Sequence, residues 1–138
     1  MTKKYFKTSF IYALFGLFIG AFYREYTRII GFTSRTNLSL AHTHTLVLGF
    51  FLFLILSIFA KSFDLKEDKK EKIFFNTYNF SLILVISTLI ARGFYQIYGL
   101  DNSGISAAIS GIAGIGHIGI SFAFYFLYAY LKTYIEKP

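Results

Sequence analysis

The chain has 138 residues, the length of a single domain, and 55% of them are hydrophobic. A soluble fold of this size has no core large enough for that many apolar side chains, and the mean hydropathy of +0.55 points the same way. Cysteine is absent, which excludes a disulfide framework, a thiolate metal site and a cysteine nucleophile.

Four apolar segments predict four transmembrane helices, because each has the length of about 20 residues needed to cross ~30 Å of hydrocarbon. In chain order they cover residues 8–30, 38–60, 73–98 and 104–132. Continuous runs of this length exclude membrane strands, and a helix satisfies every backbone group in lipid. We therefore predict an all-α integral membrane four-helix bundle forming one domain over 1–138. The connection Lys61–Lys72 is expected to be a short solvated linker.

The basic residues are separated by type between the two ends of these helices. Every lysine falls on one side: Lys3, Lys4, Lys7, Lys61, Lys66, Lys69, Lys70, Lys72, Lys132 and Lys137. Every arginine falls on the other: Arg24, Arg28, Arg35 and Arg92. The lysine-rich side is predicted to be cytoplasmic, with both termini there and the chain in the lipid of a bacterial cytoplasmic membrane. This arrangement accounts for much of the net charge of +7 without a nucleic-acid partner.

Two histidines lie near the start of the second segment. At about 100° per residue, His42 and His44 point to nearly opposite faces of one helix, so they cannot bind the same ion from it. They serve two sites, or two copies of one site at a subunit interface, or they are satisfied polar residues near the headgroups. Ionisable groups inside a membrane are costly and tend to be functional, which favours a site.

The stretch Ala41-His42-Thr43-His44, followed by Val47-Leu48-Gly49, resembles the ligand helix of haem–copper oxidase subunit I. In that family two histidines of such a stretch bind two haems on opposite faces of the helix, in its outer third. The family fold repeats a four-helix arc, so this chain is similar to one arc. The resemblance implies a homo-oligomer, with a trimer completing the ring. It also implies a b-type haem between His42 of one subunit and His44 of the next, near Gly49. The oxidase copper-site histidines and cross-linked tyrosine have no counterpart here.

Over nearly its full length, the chain also resembles a family of small four-helix bacterial membrane proteins. The likeness rests on Phe22-Tyr23-Arg24-Glu25, His42-Thr43-His44, Arg92-Gly93 with Gln96, and the run from Ser110 to His117. This resemblance implies a single four-helix domain and no extramembrane domain.

His117, in the fourth segment, is the third candidate ligand. It shares a helical stripe with Ser110 and Gly114, and the glycines around it allow a flat ring or another backbone to approach. Close helix packing, with His117 hydrogen-bonded across the bundle, is the alternative. His117 lies about 12 residues into its helix and His44 about six, a depth offset of roughly 9 Å. That offset argues against the two sharing one iron within a subunit.

The arginines are candidate partners for haem propionates, since arginine forms bidentate contacts with carboxylates. Arg24 and Arg28 share one face of the first helix, and Arg92 and Gln96 share one face of the third, all on the histidine side. Pairing of Arg24 with Glu25, and snorkelling of the other arginines to the headgroups, are the alternatives.

These features predict a protein that binds haem b and its iron, and that works in electron transfer or in binding a diatomic gas or oxidant. Two imidazole ligands would favour electron transfer, because a filled iron blocks gas binding, and one ligand would favour gas binding or catalysis. The alternatives are a small cofactor-free transporter or channel that binds an anion, and an accessory subunit of a respiratory complex. Whether the protein is an enzyme stays open. No phosphate-binding loop and no intramembrane carboxylate pair suggests a hydrolase.

Overall fold

The protein is described by a computed structural model over residues 1–136, and Lys137 of the predicted lysine-rich side lies outside them. Four long helices make up the fold. They are α1 (Thr2–Ile29), α2 (Leu38–Ser62), α3 (Lys69–Ile97) and α4 (Ser103–Ile135). Each is long and apolar enough to cross a membrane, which indicates a multi-pass membrane protein. Residues 1–136 contain no strand, so the all-α prediction is confirmed.

Three of the helices extend past their predicted apolar spans at the lysine-rich end. Residue 2 begins α1 instead of residue 8, residue 69 begins α3 instead of residue 73, and α4 continues to residue 135. Side-chain caps fix two of the helix starts. The Asp68 carboxylate accepts a hydrogen bond from the Glu71 amide at 2.8 Å, and the Asn102 side chain accepts one from the Ile105 amide at 3.0 Å. Lysines do not interrupt a helix, so the polar ends stay helical.

Glycines end α1 and α3 at the arginine-rich end. Gly31 and Gly99 have φ values of +66° and +60°, a left-handed conformation that costs glycine little. The amide after each glycine donates back to a carbonyl of the last helical turn, from Phe32 to Thr27 at 2.9 Å. Both helices therefore stop with their last carbonyls partly satisfied, as a membrane-embedded helix end requires.

The second helix contains a π-helical stretch, Thr45–Phe51, that begins directly after His44. A π-helical stretch widens the backbone, and such stretches are frequent at functional sites. The Tyr78 hydroxyl of α3 donates to the Leu48 carbonyl at 2.9 Å, and the Thr45 hydroxyl donates to the Ala41 carbonyl at 2.7 Å. Carbonyls in and beside the widened stretch are thus satisfied inside the protein rather than left to lipid.

The helices form an open arc. The backbone of α2 packs against α1 and α3, while α4 packs against α3. Within residues 1–136, no Cα atom of α4 lies within 8 Å of α1 or α2. Only 11% of the most apolar part of α4 is buried, against 39% for α3. The arc therefore leaves a gap over α3 between α2 and α4.

Glycines set the closest contacts between these helices. A Cβ atom at Gly93 would lie 2.5 Å from the backbone nitrogen of Leu38, and one at Gly116 would lie 2.8 Å from Val85. Missing side chains allow helix backbones to approach closely in a membrane. Hence α2 and α4 both lie directly on α3.

A buried carboxylate joins α1 to α3 at the lysine-rich end. Glu71 is fully buried and accepts hydrogen bonds from Lys4 Nζ at 3.0 and 3.3 Å and from the Tyr5 hydroxyl at 2.9 Å. A buried charge requires such partners. The expectation of a wholly solvated linker over Lys61–Lys72 is therefore wrong: the segment is helical from Lys69 onward and places Glu71 inside the protein.

The glycine contact between α2 and α3 generates a stability prediction. Gly93→Ala should lower the free energy of unfolding in detergent by about 1–3 kcal/mol, because the new methyl group meets backbone that cannot rotate away. Gly111→Ala is the matched control, since no atom lies within 4 Å of the added methyl group. Thermal unfolding followed by circular dichroism measures both. Equal stability of the two variants would contradict the close contact.

Candidate functional site

A cavity of about 360 Å³ occupies the gap between α2 and α4, with α3 as its floor. His44 lines it from α2, Arg92 from α3, and Ser110 and His117 from α4. Its volume falls near the lower end of the range of roughly 300–1,000 Å³ found for small-molecule sites. We call it the histidine cavity. The structure thus brings together two of the three candidate histidines and one candidate arginine.

Both histidines of this cavity are held in the same tautomer by their own helices. Nδ1 of His44 lies 3.0 Å from the Leu40 carbonyl oxygen, and Nδ1 of His117 lies 2.7 Å from the Ala113 carbonyl oxygen. A carbonyl only accepts hydrogen bonds, so each Nδ1 carries a proton. In the neutral rings, the lone pair is then on Nε2, the nitrogen free to bind a metal. Metal-ligating histidines are typically oriented by such a bond.

The two rings lie at more similar depths than their sequence positions suggested. The first residue of α2 packs on Gly93 of α3, and the residue before His117 packs on Val85. Following each helix from its contact places His44 and His117 roughly 4–5 Å apart along α3, at about 1.5 Å per residue. The offset of roughly 9 Å was overestimated because α4 begins closer to the membrane surface than its apolar part suggests. Both residues can therefore face one ligand.

His42 lies on the other face of α2, as its spacing from His44 predicts. Its ring packs over Gly20 of α1, where a Cβ atom would lie 3.6 Å from the ring. Nε2 of His42 lies 3.3 Å from the Thr43 hydroxyl, and its Nδ1 is buried with no hydrogen-bond partner. His42 therefore shares no cavity with His44 in the chain.

Arg92 forms hydrogen bonds with α4 from the floor of the cavity. Its guanidinium group donates to the Ser106 hydroxyl and carbonyl, both at 2.8 Å, and to the Ser110 hydroxyl at 2.6 Å. These partners are neutral, and no carboxylate among residues 1–136 forms an ion pair with it. The cavity thus contains a positive charge that the described part of the chain does not compensate. A ligand with acidic groups would compensate it.

The other candidate polar residues have partners outside the cavity. Gln96 exchanges hydrogen bonds with Asn37, accepting from its amide at 2.8 Å and donating to its side chain at 3.2 Å. Arg28 pairs with Glu25, while Arg24 lies 3.8 Å from Glu25 and is largely exposed. These three residues therefore do not line the histidine cavity, and the pairing of Arg24 with Glu25 matches one of the alternatives.

The two candidate glycines differ in their surroundings. A Cβ atom at Gly49 would lie 2.5 Å from the Tyr12 ring, so Gly49 serves the contact between α1 and α2. Gly114 has no atom within 4 Å of that position. It therefore leaves open space on α4, one turn from His117, where a flat ring has room.

Within residues 1–136, no group of three or more histidine, cysteine or carboxylate residues could hold a bare metal ion. Haem differs, because the porphyrin supplies most of the ligands and the protein adds one or two axial ones. Two Nε2 atoms on one cavity and an uncompensated arginine fit that requirement. The donor set is therefore compatible with haem and poorly suited to a bare metal ion.

Sequence reasoning missed Ser106 and Asn37, the partners of Arg92 and Gln96. A signal for Ser106 was present, since it lies four residues before Ser110 on the same stripe of α4. Asn37 carried no such signal, because it caps α2 from a loop and pairs across to another helix. Sequence alone also did not reveal the π-helical stretch.

The hydrogen bonds to Leu40 and Ala113 generate a spectroscopic prediction. In ligand-free protein in detergent micelles above neutral pH, ¹⁵N NMR should show His44 and His117 mainly as the Nδ1-protonated tautomer. His42 is the internal control, because no carbonyl holds its Nδ1. A predominance of the Nε2-protonated form at both cavity histidines would contradict the assigned geometry.

Residues 2–134 match the family described as protein of unknown function (DUF2871). No curated protein is detectably similar to the chain. No solved structure matches it either. Nothing in these comparisons connects it with haem–copper oxidase subunit I, so that resemblance stays a prediction. Because the match spans nearly the whole sequence, the chain belongs to the DUF2871 family.

Proposed function

We propose that this protein is a b-type haem-binding membrane protein and that the haem binds in the histidine cavity. The observation that supports it most directly is that His44 and His117 line one cavity with Nδ1 of each bonded to its own helix. Their Nε2 atoms would be the axial ligands. A bound haem would supply an iron centre able to accept and release one electron.

The charge in the cavity supports the same ligand. Haem propionates are carboxylates, and Arg92 offers a planar guanidinium group without an acidic partner in the described chain. Its present partners are two serines of α4, which leave the positive charge in place. Arg24 and Arg28, near the same end of the protein, lie outside this cavity and are assigned no contact with haem.

The room for a porphyrin comes from the arc itself. A porphyrin would fill the cavity and extend beyond it, along the part of α4 where Gly111 and Gly114 have no neighbours. The exposed side of α4 is where a second copy of the chain would complete the enclosure. A homo-oligomer is therefore part of the proposal, and the oxidase resemblance favours a trimer. His42, with its unpaired Nδ1, remains the candidate for a second site at such an interface.

The distribution of lysine and arginine supports the orientation included in this proposal. Basic residues concentrate on the cytoplasmic side of bacterial membrane proteins, and the lysine-rich end carries most of them. Both termini would then be cytoplasmic, in a bacterial cytoplasmic membrane. The histidine cavity would lie in the outer half of the bilayer.

Two axial imidazoles make electron transfer the favoured role, because they leave no open position for a gas. A cofactor-free anion carrier is the second candidate, and the uncompensated charge of Arg92 is the observation that favours it. An accessory subunit of a respiratory complex would instead co-purify with other chains. The haem protein is coloured and the anion carrier is not.

The visible spectrum of protein purified after expression with an adequate haem supply tests the proposal. We expect a Soret band and reduced-minus-oxidised bands typical of a b-type haem. His44→Ala and His117→Ala should each lose most of the Soret absorbance, since each removes one axial ligand. His42→Ala is the matched control and should keep the wild-type spectrum, because His42 faces α1.

Two results would contradict this assignment. A colourless wild-type protein that stays folded and is stabilised by small anions would favour the anion carrier. Loss of the spectrum in His42→Ala, with both cavity variants unchanged, would move the haem to the opposite face of α2.

Arg92 generates a separate prediction within this proposal. Arg92→Gln should lower haem occupancy several-fold and shift the midpoint potential, because the propionates lose their compensating charge. Arg28→Gln is the control of equal charge change, since Arg28 is already paired with Glu25. Redox titration and haem quantification measure both. Identical values for the two variants would remove Arg92 from the site.

A further inference from the structure

A second cavity lies at the opposite, lysine-rich end of the pair formed by α3 and α4. Its volume is about 450 Å³, and it is lined by Lys70 from α3 and by Tyr125, Tyr128 and Lys132 from α4. Glu136 forms part of its rim. It shares no lining residue with the histidine cavity. We call it the lysine cavity.

The two lysines of this cavity keep donor capacity for a ligand. Lys70 Nζ lies 3.4 Å from the Ala129 carbonyl, a long hydrogen bond. Lys132 Nζ lies 3.8 Å from Glu136, and both of these side chains are about half exposed. Exposed ion pairs of this kind contribute little. Two ammonium groups on neighbouring helices therefore face one cavity with most of their donors free, which suits an anion such as a phosphate group.

The tyrosines indicate what the phosphate group is attached to. Tyr125 and Tyr128 are 65% and 64% exposed, and tyrosine is enriched where headgroups meet hydrocarbon. Towards the middle of the membrane the same side of α4 continues as exposed apolar side chains, including Phe122 and Ile118. A ligand held here would have its anionic part at the lysines and an acyl chain along α4. Free phosphate would use only the first of these features.

We propose that the lysine cavity binds the headgroup of an anionic phospholipid, with its acyl chains lying along α4. Basic pockets between transmembrane helices at the cytoplasmic side are where anionic lipid headgroups bind in other membrane proteins. The site does not depend on haem, so it stands or falls independently of the function proposed above. It ties the least buried helix to the surrounding bilayer.

The test uses the full chain, purified in a non-ionic detergent and stripped of lipid. Phosphatidylglycerol, phosphatidylcholine and inorganic phosphate are added separately, and binding is followed by native mass spectrometry and thermal unfolding. The test variant is Lys70→Gln/Lys132→Gln. Lys3→Gln/Lys61→Gln is the control with the same charge change, since both lysines are exposed and neither lines the cavity. Circular dichroism checks that both variants stay folded.

Phosphatidylglycerol should remain bound and raise the unfolding temperature by a few degrees, while phosphatidylcholine and phosphate should not. The cavity variant should bind phosphatidylglycerol about ten- to thirtyfold more weakly, the effect expected for two lysines. The control variant should bind as wild type does. Equal binding of phosphatidylcholine, or equal losses in both variants, would overturn the proposal. Stabilisation by phosphate alone would overturn the lipid assignment in favour of a free-anion site.

Discussion

The architecture depends on how closely two helices approach α3. Gly93 allows the start of α2 to touch the α3 backbone, and Gly116 allows α4 to lie against Val85. With α2 and α4 on two faces of the same helix and no contact between them, a cavity over α3 is unavoidable. Its depth is set by side chains on α3, and its walls are the two histidine-bearing helices. Packing of small residues therefore creates the space in which the polar groups meet.

Much of this fold followed from the sequence because a bilayer restricts the possibilities. Four long apolar runs can only be helices, and their number, order and approximate centres were predicted correctly. The helix ends were less accessible, since a lysine-rich stretch such as Lys69–Lys72 is equally compatible with loop and helix. Burial of Glu71 was also beyond sequence reasoning. It depends on Lys4 and Tyr5, which lie in a different helix and reach it only in the folded protein.

The candidate site was predicted in part. Residue types identified His44, His117 and Arg92, and helical periodicity correctly separated His42 from His44. The pairing of His44 with His117 was not expected, because depth within a helix was measured from its apolar boundary rather than from its contacts. Relative depth is a property of interhelical packing, and one sequence without that packing contains no measure of it. Gln96 and Gly49 were chosen for nearby chemistry, yet they serve contacts between helices.

The missing contact between α2 and α4 also determines how the histidine cavity can be reached. Because the two helices share no packed surface, they can separate sideways without losing any interhelical contact. The route that disrupts least packing thus runs in the plane of the bilayer. A membrane-dissolved, flat and mostly greasy molecule has this doorway available, whereas a strongly hydrated solute would first have to shed its water.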